Sequence, residues 1–185
     1  MPMETDQNII QQLVRKCRQG DIKAQFSLYK HYSEVMYNIA IRLTNNGMDA
    51  EDILQESFIT VFEKLGELQN DRAFGSWLKR IVVNNCISFL RKSKVYFEDI
   101  TEQIPAGELE EIPLVEDTIN PEEVHHAIKE LPPGARTVLV MHALEGYKYR
   151  EIADILDISE STCKTQYKRA LGLLNKKFKN PAHVN

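Results

Sequence analysis

Cysteine is scarce in these 185 residues: Cys17, Cys86 and Cys163 stand far apart, with no Cys-x-x-Cys and no Cys/His spacing suited to zinc. An odd, scattered set argues against a disulfide framework and for a reduced, cytoplasmic chain. Long apolar runs are also missing. None approaches the roughly 18 to 20 residues that cross a bilayer, and the first ten residues carry Glu4 and Asp6 where an export signal has positive charge. The expectation is a protein neither exported nor membrane-spanning. Enzyme signatures are equally thin. The histidines, at 31, 125, 126, 142 and 183, form no metal-ligand spacing, no glycine loop suits a phosphate, and no nucleophile motif occurs. Neighbouring acids such as Glu110 and Glu111 lie in a stretch without the rigid support catalysis needs. No catalytic residue, metal or cofactor is expected.

What is present is ordinary globular material, 43% hydrophobic and 27% charged, too apolar for a largely disordered chain. The net charge of −4 argues, as a total, against nucleic acid. Its distribution reverses that argument. Residues 98–123 hold ten acids and no base, whereas residues 1–97 have 13 bases and 11 acids, and residues 124–185 have 10 bases and 6 acids. The acidic stretch also contains Pro105, Gly107, Pro113 and Pro121 and lacks helical periodicity. It reads as a linker, 98–121, between two mildly basic domains, 1–97 and 122–185. Such a strap can serve as a spacer or hold the free protein off DNA.

Outside the linker, apolar residues recur every three or four positions and no alternating β-branched run appears, so the fold class expected is all-α, with two small helical domains. Residues 6–18 form a short amphipathic helix. Asp21 caps a longer one carrying Phe26, Leu28, Tyr29, Tyr32, Met36, Ile39, Ala40 and Leu43, which Asn45-Asn46-Gly47 breaks. A third helix, roughly 49–65, opens on Asp49, Glu51 and Asp52, suited to the positive end of its dipole. Asp52, Gln55 and Glu56 share one face by spacing. In a fourth helix, about 73–94, Phe74, Trp77, Leu78, Ile81, Val82, Phe89 and Leu90 form an apolar face, and Arg80, Asn84, Ile87 and Arg91 a second stripe. Trp77 reads as core rather than as a stacking surface.

Beyond the linker, a short helix over 122–131 precedes another that starts at Pro132-Pro133 and stops at Gly146. Residues 147–178 then have the layout of a helix-turn-helix. Ile152, Ala153, Ile155 and Leu156 bury the first helix, Asp157 sits at the turn, where Asp tolerates the left-handed conformation, and Ser159 caps the second helix. There Cys163, Tyr167, Leu171, Leu174 and Phe178 form an apolar stripe, leaving Ser161, Lys164, Thr165, Lys168 and Arg169 outward, as a recognition helix offers donors to a major groove. Cys163 reads as a small core residue.

These residues carry a resemblance. DAEDILQESFITVFEKLGEL with AFGSWLKRIVVNNCISFLRK resembles region 2, and LPPGARTVLVMHALEGYKYREIADILDISESTCKTQYKRAL resembles region 4, of the compact extracytoplasmic-function sigma factors in the sigma-70 family of bacterial RNA polymerase. The resemblance spans about 21–94 and 122–178. It implies a promoter-specificity factor that binds RNA polymerase core, opens DNA at the −10 element and contacts the −35 element. Asp52, Gln55, Glu56 and Phe58 match the helix that grips the clamp coiled-coil of the polymerase's largest subunit. Asn84 matches the position associated with capturing a flipped base, after a loop written here LQNDRAF, with Arg80, Arg91 and Lys92 placed to hold phosphates. Ser161, Lys164, Thr165, Lys168 and Arg169 fall on the helix that contacts the −35 element, where Lys164 and Gln166 stand for frequent arginines. Factors of this group are often held inactive by an anti-sigma protein.

Two other classes fit the residues less well. A conventional helix-turn-helix repressor accounts for residues 122–185 but leaves the first domain idle, and commonly dimerises on paired half-sites. An enzyme has no motif to support it.

Overall fold

A computed structural model describes residues 2–92 and 120–179, all of whose regular elements are helical. The expected linker 98–121 lies, but for its last two residues, outside the described residues, as does most of the acidic strap. The chain divides into two compact units, the first ending at Phe89 and the second beginning at Leu90.

The first unit comprises α1 (Pro2–Arg18), α2 (Ile22–Thr44), α3 (Gly47–Glu63), two single 3-10 turns (Leu65–Glu67 and Asp71–Ala73) and α4 (Phe74–Leu90). Local chemistry sets the boundaries. Asp21 accepts the amides of Lys23 and Ala24 at 2.8 and 3.1 Å, starting α2. Asn45 ends it in the left-handed region at φ 59°, and the Asn46 side chain then caps α3 through the amides of Met48 and Asp49. This two-residue joint lays α3 back along α2. The core is their shared apolar face: Val14 and Cys17 from α1, Leu28, Ile39 and Leu43 from α2, Ile53, Phe58 and Val61 from α3, and Phe74, Leu78, Val82 and Cys86 from α4, all buried. Burying a side chain of this class is worth about 1.5–3 kcal/mol. Gly75 permits the approach of α4 to α2, because a Cβ there would lie 3.1 Å from the ring of Tyr32. Tyr32 in turn packs on Phe74 at 5.4 Å between centroids.

The expected apolar faces need correction in several places. Phe26 is 66% exposed and Phe89 is also exposed, whereas Ile87, expected on the polar stripe of α4, is buried. Helix geometry explains the burial of Ile87: it falls one position from Cys86 and three from Leu90, inside the arc α4 turns to the core.

The second unit comprises α5 (Pro121–Lys129), α6 (Pro133–Leu139) continuing into a π-helical turn (Val140–Leu144), α7 (Tyr149–Leu156) and α8 (Glu160–Lys179). Pro133 opens α6, where a missing N–H costs nothing. Arg136 is buried, its Nη1 donating to the carbonyls of Lys129 and Leu131 at 3.3 and 3.0 Å, so it closes the end of α5 against α6. Gly146, at φ +78°, ends the π turn. Asp157 takes the left-handed conformation at φ 57° between α7 and α8, and Ser159 Oγ accepts the amide of Thr162 at 3.0 Å, as the sequence led one to expect. Ile152, Ala153 and Leu156 of α7 and Cys163 and Ala170 of α8 are buried, and α8 packs on both α6 and α7.

Candidate nucleic-acid interface

In the first unit, α3, the first 3-10 turn and α4 enclose a concave site of about 330 Å³, within the range of small-ligand pockets. Thr60 and Lys64 line one side, Glu67 the turn, and Trp77, Arg80, Asn84 and Asn85 the other. Asn85 is fixed from beneath. Asn85 Nδ2 donates to Ser57 Oγ at 2.9 Å, and the wholly buried Ser57 hydroxyl donates to the Ile53 carbonyl at 2.6 Å. That pair locks the rotation of α4 against α3. Arg80 and Asn84, one turn apart, therefore face outward and are exposed.

Trp77 departs from its expected place in the core. It is half-buried, its ring 6.4 Å from Phe74 on one side and lining the concave site on the other. The site thus combines an aromatic face, two amides and two cations. An aromatic face stacks on a base, an amide pairs with a base edge and a cation holds a phosphate. Thr60, Lys64, Glu67 and Asn85 were missed in the sequence; only Asn85, polar beside the outward Asn84, left a local signal. Arg91 and Lys92 follow α4 in a turn and are exposed, beyond the residues lining the site.

The second surface lies on α3. Asp52, Gln55 and Glu56 are exposed on one face, as their spacing requires. Phe58 does not join them. It is buried, edge-on to Tyr29 at 4.8 Å and near Phe62, because the position two residues past Glu56 turns to the α2 side. A groove of about 540 Å³ runs beside Gln55, lined by Tyr29, Glu34, Tyr37 and Glu51. Two carboxylates and two phenols make it a receptor for a basic or hydrogen-bonding side chain.

The third surface is the outer face of α8. Ser161, Lys164 and Lys168 are exposed, and Thr165 and Arg169 half-exposed. Thr165 spends its hydroxyl proton on the Ser161 carbonyl at 3.0 Å, leaving oxygen lone pairs outward. Gln166, which the sequence placed among the arginine-replacing positions, is wholly buried and faces away from any groove. The apolar stripe of α8 shifts accordingly: Cys163, Gln166 and Ala170 are buried, while Tyr167, Leu171, Leu174 and Phe178 are partly covered. Beneath the outward face lies an aromatic cluster. His142, from the π turn, stacks on Tyr149 at 4.1 Å and meets Tyr167 edge-on at 4.9 Å. Its Nδ1 lies 2.8 Å from the Tyr147 carbonyl; a carbonyl only accepts, so Nδ1 carries the proton. Lys164 Nζ stands 6.0 Å over the Tyr149 ring, a cation–π distance.

Burial holds the thiols protonated: Cys17 and Cys163 are pushed up to about 11 and Cys86 to about 12. Among the described residues no group of His, Cys, Asp or Glu could hold a metal, and no helix is long and apolar enough to cross a membrane.

Comparison with known proteins separates along the same two units. The model of sigma-70 region 2 matches residues 28–95, and that of sigma-70 region 4 matches residues 122–174. The RNA polymerase sigma-H factor of Pseudomonas aeruginosa is 29% identical over 178 residues, 90% of this chain and 92% of that protein. The ECF RNA polymerase sigma-E factor of Salmonella typhimurium is 31% identical over 178 residues, covering 90% and 93%. Among solved structures, CnrH in complex with the cytosolic domain of CnrY gives a TM-score of 0.56 at 20% identity over 94% of this chain and 99% of that one. The sigma factor RpoE in complex with the anti-sigma factor NepR, from Bartonella quintana, gives 0.55 at 19% identity, covering 85% and 98%. At these identities the structural matches speak to fold alone.

Proposed function

This chain belongs to the extracytoplasmic-function group of the sigma-70 family, promoter-recognising factors that direct transcription initiation by RNA polymerase, and we propose that it divides that task among the three surfaces described above. The exposed face of Asp52, Gln55 and Glu56, with the acidic groove beside it, binds the clamp coiled-coil of the polymerase core. The site around Asn84 captures an unpaired base of the −10 element. The outer face of α8 reads the −35 duplex through Ser161, Lys164, Thr165, Lys168 and Arg169.

The observation that carries this reading is the convergence of Trp77, Arg80 and Asn84 on one concave site, with Asn85 anchoring the helix that presents them. Extruding a base costs a few kcal/mol. Stacking on an aromatic ring returns about 1–3 kcal/mol per base, and an amide pairing with the base edge adds to it. Strand opening is then a binding reaction, sustained by the site's affinity for single-stranded DNA. Lys64 and Arg80, the cations lining the site, would hold the flanking phosphates, and Arg91 and Lys92 the backbone further along.

The relatives are sigma factors, transcription regulators rather than enzymes. On this reading the chain supplies no covalent chemistry, needs no cofactor and acts with its polymerase in the cytoplasm. The domains are 1–97 and 122–185, tied by the acidic segment 98–121. An anti-sigma protein is a further expected partner. Ile22, Phe26 and Tyr29 lie at four- and three-residue steps along α2 and are all exposed, apolar area that such a partner would cover.

The test is transcription in vitro with core polymerase, genomic DNA and this protein, with start sites mapped. Transcripts that appear only when the protein is added, sharing two sequence elements, support the reading. A full set of transcripts without it, or none with it, would refute the reading.

A further inference from the structure

The turn between α3 and α4 forms one wall of the base site, and its own bonds are all local to one limb or the other. The first 3-10 turn is closed by Glu67 N–H to the Lys64 carbonyl at 2.9 Å and Leu68 N–H to the Leu65 carbonyl at 3.4 Å, the second by Ala73 N–H to the Asn70 carbonyl at 2.9 Å and Arg72 N–H to Asn70 Oδ1 at 3.0 Å. A contact that ties the two limbs together comes from α1, some fifty residues earlier. Arg18 donates from Nε to the Leu65 carbonyl at 3.3 Å, from Nη2 to the Leu68 carbonyl at 2.6 Å and from Nη1 to the Asp71 carboxylate at 2.6 Å. Arg15 Nε reaches the other Asp71 oxygen at 3.2 Å. The Arg18 and Asp71 side chains are 31% and 14% exposed, while Arg15 is 67% exposed. Arg18 is therefore the centre of the bracket and Arg15 its outer support.

The geometry points to a positioning role: we propose that Arg18, through Asp71 and the two leucine carbonyls, fixes the 65–73 turn so that the site around Asn84 is pre-shaped for one base. A planar guanidinium is suited to this, since all three of its nitrogens are committed to acceptors on both limbs of the turn at once. An ammonium in its place could not span them. The same commitment separates Arg18 from the phosphate-holding arginines, because its nitrogens already donate within the protein. Glu67, which lines the site, lies between the two bracketed carbonyls. Leu68, one of the bracketed residues, is buried and seats the turn in the core. Loss of the bracket would let the wall move and blur selection among bases, without removing any group that touches DNA.

This inference rests on the proposed role of the Asn84 site, and the experiment separates the two. Holoenzyme is assembled from core polymerase and full-length protein. Its affinity is measured for single-stranded oligonucleotides bearing the mapped −10 non-template sequence, with each of the four bases placed in turn at the captured position. Wild type should favour one base; no preference, together with an unaffected Asn84→Ala, would sink the site reading and this inference with it. Given a preference, Arg18→Ala, Arg18→Lys and Asp71→Ala should each lower it by on the order of tenfold, against the roughly 5- to 150-fold that one position commonly carries. Arg18→Ala with Asp71→Ala should do less than the two effects combined, as residues that share a contact do. Core assembly and the salt dependence of binding should stay at wild-type values. A preference within twofold of wild type in all three variants would overturn the proposal. So would a salt slope shallower by about 0.7, the mark of a lost phosphate contact on a single strand. Thermal melting of the same variants guards against general loosening: Arg18→Lys, which keeps the stem and charge, should hold the melting temperature while losing base preference. Loss of core assembly in step with preference would make the bracket structural only.

Discussion

On the proposed reading, the two units handle DNA with opposite architectures. In the first, the groups assigned to the captured base surround a concavity and are supported by polar contacts that cross between elements: Asn85 to Ser57, and Arg18 to Asp71. In the second, they stand on the convex face of one helix, and the support beneath them is an aromatic cluster of His142, Tyr149 and Tyr167. The difference follows the substrate. A base drawn from its stack must enter a site of fixed shape, so directional hydrogen bonds set the walls. A duplex groove is read from outside by a helix of correct tilt, for which close packing of rings suffices.

That contrast can be broken in four ways. The largest effect should come from a surface that belongs to neither DNA site. Gln55→Ala with Glu56→Ala should weaken core assembly by about 100-fold or more, measured by competition for core polymerase, while binding of the −35 duplex is unchanged. Normal assembly would remove α3 from the clamp interface. Next, Asn84→Ala should leave assembly intact and cut open-complex formation by about 10- to 100-fold, read by permanganate reactivity of unpaired thymines. An equal loss of duplex affinity would mean that the two units do not divide the work. Third, Lys168→Ala and Arg169→Ala should each flatten the salt dependence of duplex binding by about 0.9 in slope, with strand opening on a pre-melted promoter unaffected. The smallest effect should follow Tyr149→Leu, which takes the aromatic face from under Lys164. Affinity for the duplex should fall about 2- to 5-fold, and Tyr149→Phe should restore it, since the ring and not its hydroxyl faces the ammonium.

The legibility of these features in the sequence depended on range. Asp21, Asn46, Asp157 and Ser159 act within three residues of themselves, so turn and cap chemistry announced the helix ends and the helix-turn-helix directly. Faces were harder. Spacing put Ile87 outward and the family's pattern put Gln166 at the groove, and both are buried, because which arc of a helix meets its neighbours is decided by the crossing of two helices rather than by one helix's pattern. Phe58 was grouped with Gln55 and Glu56 through the family's motif, yet its ring belongs to the α2 interface. Trp77 is the instructive case between these: its apolar spacing did mark one side for the core, and only the neighbouring turn reveals that its other side lines the concave site. The contacts of Arg18 with Asp71 and two carbonyls left no trace in the sequence, since a residue's spacing pattern holds no record of a partner about fifty positions away.

The buried thiols have a practical consequence. Alkylation and maleimide coupling require thiolate, and with Cys17 and Cys163 held near 11 and Cys86 near 12, only about one part in a thousand or less is reactive at pH 8. A cysteine introduced on either unit's surface, at Ser27 or Ser161 for instance, would accept a fluorophore selectively in the otherwise native chain. The distance between two such dyes could then be followed as polymerase and promoter are added, with no need to engineer the native cysteines away.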